Sequence, residues 1–187
     1  MYKERIDAVW EKVRNYHKDN NPTIYEEMIS TPPAIDDDFQ RIELLLNVTL
    51  PDEFKYSYQV QNINKESQIF GGNVYTISLE EIYEFNKSRK DLWTQQTPAH
   101  DVSDDVLPPK FAWEKKWLCC ADIFAAVYFM IDLRQEVQEQ SSPLLAFDVE
   151  FDQIWKAYSS YTEFLEDATQ QLLEHGQYDN YPIGKDQ

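Results

Sequence analysis

The residues best suited to nucleophilic or metal chemistry are three histidines, His17, His100 and His175, and one adjacent pair of thiols, Cys119-Cys120. A nucleophilic centre needs a Ser, Cys or Thr beside a base, and none of these imidazoles falls inside a recognisable local signature. Structural zinc is held by Cys or His pairs spaced a few residues apart; adjacent cysteines and isolated histidines do not meet that spacing. A disulfide between chain neighbours is strained, and an alternating strand points them to opposite faces, so Cys119 and Cys120 are expected as small buried apolar side chains. Asp148, Glu150 and Asp152 alternate along an expected strand and so share one face, which could take a hard cation or a basic partner. No glycine turn and no distal bidentate Glu complete a calcium loop around them. The competing expectation is a solvated sheet face kept from aggregating by its charges. Gly71-Gly72 has neither a lysine-serine step nor a third glycine behind it, so no phosphate cradle is expected. The expectation is a chain with no catalytic residue, no metal and no cofactor.

Charge then limits the choice of partner. The 187 residues carry 34 acidic and 17 basic side chains, a formal charge of -17 and a pI near 4.4. Nucleic acid and anionic membrane are disfavoured as direct ligands, and basic proteins are favoured, because like fields repel and complementary ones speed encounter. Five Trp, 12 Tyr and 10 Phe are far more than a disordered acidic polymer carries, so the chain should fold around one core. With no apolar stretch of spanning length and a charged N-terminus (MYKERIDAVWEK), the expected location is the cytoplasm, where two cysteines stay reduced.

The elements that would position these residues follow from periodicity. Ile6, Val9, Trp10 and Val13 line one side of a first helix, broken at Asn20-Asn21-Pro22. Thr23 and Glu26 have capping-box spacing for a short second helix through Met28. Asp36-Asp37-Asp38 precede the stripe Phe39, Ile42, Leu45, Leu46, and Pro51 suits the first position of a helix carrying Phe54 and Tyr58. Val74 to Ile77 reads as a strand, and Ser78 with Glu81 opens a helix toward Trp93. Residues 94–113 read as a long loop with Pro98, Pro108 and Pro109. Consecutive strands are expected at Trp117 to Asp122, Val127 to Leu133, Leu144 to Phe151 and Ile154 to Tyr158. A last helix runs from Ser160 to a stop at Gly176.

The expected class is α+β: a mostly antiparallel sheet of about four to six strands flanked by helices, with an N-terminal helical extension. The division is residues 1–30 as an extension packed on the core, 31–176 as the main domain, and 177–187 as a loosely held tail. Candidate contacts for a basic partner are Asp101, Asp104 and Asp105 in the long loop, Asp148, Glu150 and Asp152 on the later strand, and Trp113. Trp113 and Trp117 flank Glu114-Lys115-Lys116, and aromatic residues concentrate interface energy; Trp117 itself is expected to begin a core strand. The expected state is a monomer or weak dimer.

From about Ile6 to about Leu173 the chain resembles the SUKH superfamily, the Smi/Knr-type domain, in the subtype whose core follows a Trp-bearing helix. The resemblance is carried in order by Ile6-Asp7-Ala8-Val9-Trp10, Pro33-Ala34, Ile42-Glu43 and Leu50-Pro51-Asp52-Glu53-Phe54. It continues through Ser78-Leu79-Glu80-Glu81-Ile82, Trp117, Asp122, Ile131-Asp132-Leu133, and Ser160 with Phe164-Leu165-Glu166. Where the family usually has a Gly before Leu-Pro, an Asn-Gly after the next helix and glycines in the hairpin, this chain has Asn47, Gln61-Asn62-Ile63 and Phe124-Ala125-Ala126. The resemblance implies a non-enzymatic protein-binding module. Bacterial relatives resemble immunity proteins that neutralise toxins, often nucleases; fungal relatives resemble regulators of cell-wall glucan synthesis and signalling scaffolds. A basic toxin domain or a regulated enzyme is the partner so implied.

Overall fold

The computed structural model describes residues 2–63, 67–93, 117–124, 126–133, 142–148 and 153–179. Four helices come first: α1 (Tyr2–Asn20), α2 (Pro22–Ser30), α3 (Asp36–Leu46) and α4 (Asp52–Val60). Strand β1 (Val74–Thr76) and helix α5 (Leu79–Trp93) follow, then β2 (Trp117–Ile123), β3 (Val127–Asp132), β4 (Leu144–Asp148), β5 (Gln153–Tyr158) and α6 (Tyr161–His175). The strands form one antiparallel sheet in the order β1-β2-β3-β4-β5, each paired with its neighbour in sequence. The α+β class with a five-stranded antiparallel sheet agrees with the sequence expectation.

Both faces of the central strand are covered, since every β3 residue is buried. On one face Phe129 packs on Phe164 of α6, with ring centroids 5.3 Å apart; on the other Tyr128 packs on Phe85 of α5, also at 5.3 Å. Adjacent strand residues point to opposite faces, so α5 and α6 lie on opposite sides of the sheet. Helix α1 backs onto α6 and α4. Its stripe Ile6, Val9, Trp10 and Val13 is buried as the spacing predicts, and Trp10 Nε1 donates to Ser57 Oγ at 3.0 Å. The first helix is thus part of the core. Arg5 also grips Glu166 of α6 through two hydrogen bonds of 2.7 and 2.5 Å, a pair exposed enough to contribute only about 0–1 kcal/mol.

The cap of α5 forms as read, and that of α6 forms on Ser160 while its Glu163 carboxylate accepts from Ser159 N. Glu81 N donates to Ser78 Oγ, Ser78 N to Glu81 Oε2, and Glu163 N to Ser160 Oγ. The cap of α2 does not. Asn21 is its N-cap, accepting from Ile24 N through its side chain, with Pro22 at the first position, so the Asn-Pro step outcompetes Thr23. Pro51 occupies the N-cap of α4, one residue before the place the sequence suggested. Strand β2 carries a bulge at Cys120, skipped in the pairing with β3 between Cys119 and Ala121; its carbonyl accepts from Ile77 N.

Among the described residues, two non-glycine positions have left-handed backbone. Asn47 has φ 53° at the end of α3, and Phe124 has φ 47° between β2 and β3. Of the segment from Gln177 on, the structure describes residues 177–179. Tyr178 is buried beneath the sheet's aromatic cluster, its N–H donates to Phe70 O at 3.0 Å, and its hydroxyl lies 2.6 Å from that of Tyr158. This segment crosses Gly71 and Gly72 so closely that a Cβ on Gly71 would lie 2.6 Å from Gly176 O.

Candidate functional site

Of the sequence-predicted contacts, Asp101, Asp104, Asp105, Trp113, Glu150 and Asp152 lie outside the described residues, as does the proposed loop that carries the first four. Asp148 is described: it ends β4, half-buried, opposite Val127 of β3 and Gln153 of β5. It therefore stands at the sheet end that also carries the β2–β3 turn.

The thiols and imidazoles suit packing better than chemistry. Cys119 and Cys120 are both buried, and Cys120 Sγ approaches Phe129 O at 3.5 Å. Burial pushes the Cys120 thiol up, which keeps it protonated and a poor nucleophile. His17 is buried with Nε2 2.6 Å from Ile69 O, and burial lowers its pKa, so the neutral ring donates that hydrogen bond. Its Nδ1 has no hydrogen-bond partner among the described residues. His175 sits in the exposed last turn of α6, and His100 lies outside the described residues. Among the described residues no group of three or more His, Cys, Asp or Glu is placed to hold a metal ion.

The most buried acid among the described residues is Glu53, which the sequence offered only as part of the Leu50–Phe54 run. Its side chain is 1% exposed on the inner face of α4 and caps the start of α6. Oε1 accepts from Tyr161 N at 3.1 Å, and Oε2 from Thr162 N at 3.1 Å and Thr162 Oγ1 at 2.5 Å. The backbone of Ser142 adds a further donor. Burial still holds this carboxyl above the ordinary Glu range, while these donors pull the other way. Saturated with donors, it is a structural tie between α4, α6 and the start of the β4 region. The signal available in the sequence was an acid directly beside Phe54 and four residues before Ser57, inside the stripe that buries α4.

Exposed acids crowd several helix starts: Asp36 and Asp37 on α3, Asp52 on α4, Glu80 on α5 and Glu163 on α6. They favour their own helices through the dipole and also build the outward negative field. Between α1 and α6 a shallow groove of about 420 Å³ mixes Lys12 with Glu163, Glu166, Asp167 and Gln170. Nothing in this arrangement brings a nucleophile, a base and an oxyanion donor together among the described residues; what it offers is acidic and aromatic surface on a rigid frame.

The fold and surface thus describe an acidic α+β domain of the helix-flanked meander type. More particularly, the chain belongs to the SMI1 / KNR4 family (SUKH-1), whose sequence model matches residues 33–167. This match begins at Pro33, past α1 and α2, and ends within α6. The family is generally non-enzymatic and is known for protein–protein interaction. No curated protein matches the chain in sequence. No helix among the described residues is long and apolar enough to cross a membrane.

Proposed function

We propose that this chain is a cytoplasmic, non-enzymatic binding module of the immunity type, which neutralises a basic toxin domain such as a nuclease by covering its substrate cleft. The observation that carries this is the charge of -17 on a member of a family of protein-binding domains. A nuclease cleft must be cationic to hold phosphates, and an acidic surface competes for that field while its own complementarity speeds encounter. The contacts we assign are Asp101, Asp104, Asp105, Trp113, Asp148, Glu150 and Asp152, on a main domain of residues 31–176 that acts as a monomer or weak dimer and needs no cofactor.

The test is binding of purified chain to a basic nuclease toxin from its own source, by calorimetry at rising salt. Affinity should fall steadily as screening shortens the field, and nuclease activity should fall with occupancy. Affinity indifferent to salt, or a bound toxin still fully active, refutes the mechanism. A second reading is a cytoplasmic regulator or scaffold resembling fungal regulators of cell-wall glucan synthesis. It is favoured by the extra layer of α1 and α2, which lies outside the family match and offers a surface the core alone would lack.

A further inference from the structure

We draw no further inference here: the strongest candidate, the shallow groove between α1 and α6 lined by Lys12, Glu163, Glu166 and Asp167, is an acidic cluster whose carboxylates already accept from Ser159 N, Arg5 and the Tyr158 hydroxyl, and nothing in the structure shows what covers it.

Discussion

Replacing Glu53 by Gln keeps the shape of the side chain and changes only what it offers its neighbours. The carboxylate meets N–H groups of Tyr161 and Thr162, the Thr162 hydroxyl and the Ser142 backbone, all as donors. A glutamine retains one accepting oxygen and presents an amide to the rest, so donors face donors. Each hydrogen bond to a charged group is worth about 1.5–3 kcal/mol, and two are lost; relief of the buried charge returns part of that. The net loss is about 2–4 kcal/mol, which in a chain of this size lowers Tm by about 5–15 °C. Thermal unfolding followed by circular dichroism at neutral pH measures it. The sign with pH follows from the raised folded pKa: Glu53 contributes most below its ordinary value of 4.5, and that contribution fades as pH rises through the folded value. The margin between parent and Glu53→Gln is therefore wider at acid pH than at neutral pH. A Tm within about 2 °C of the parent would refute the claim that this carboxylate ties α4 to α6.

Two further outcomes test the rest of the frame. His17 has a lowered folded pKa, so the stability it confers is complete above its ordinary 6.5 and lost as pH falls through the folded value; His17→Gln should flatten the fall in Tm on acidification, and an unchanged slope contradicts this. Gly71→Ala places a methyl 2.6 Å from Gly176 O at φ 66° and should lower the urea midpoint by the equivalent of about 1–3 kcal/mol, whereas an unchanged midpoint shows that the closing segment yields freely.

The helices were legible because their apolar stripes are regular, and the strands because their β-branched and aromatic runs are continuous. Trp117 begins β2 with its side chain buried, and both cysteines are buried, as read. Capping was legible at Ser78 and Ser160, while Thr23 lost to Asn21 two residues earlier. Tyr178 was not legible, because a short polar stretch without regular apolar spacing has no period to reveal that this ring fills a gap beside Phe129, Phe164 and Tyr158. Glu53 was missed because acids at helix starts are ordinarily solvated, and nothing local announces a second helix start waiting for it 108 residues away. Of the proposed contact residues, Asp148 alone lies among those described, so charge pattern remains what points to the others.

The pairing of α1 with α6 has a kinetic consequence. From β2 to β5 each strand pairs with the next in sequence, so these hairpins can close quickly, but Arg5 and Glu166 are 161 residues apart and must meet across most of the chain. Part of the stripe around Trp10 can be covered early by Ser57 of α4 and by Phe70, and the rest is closed by α6, so contact order places the clasp of α1 on α6 among the slower steps expected of folding.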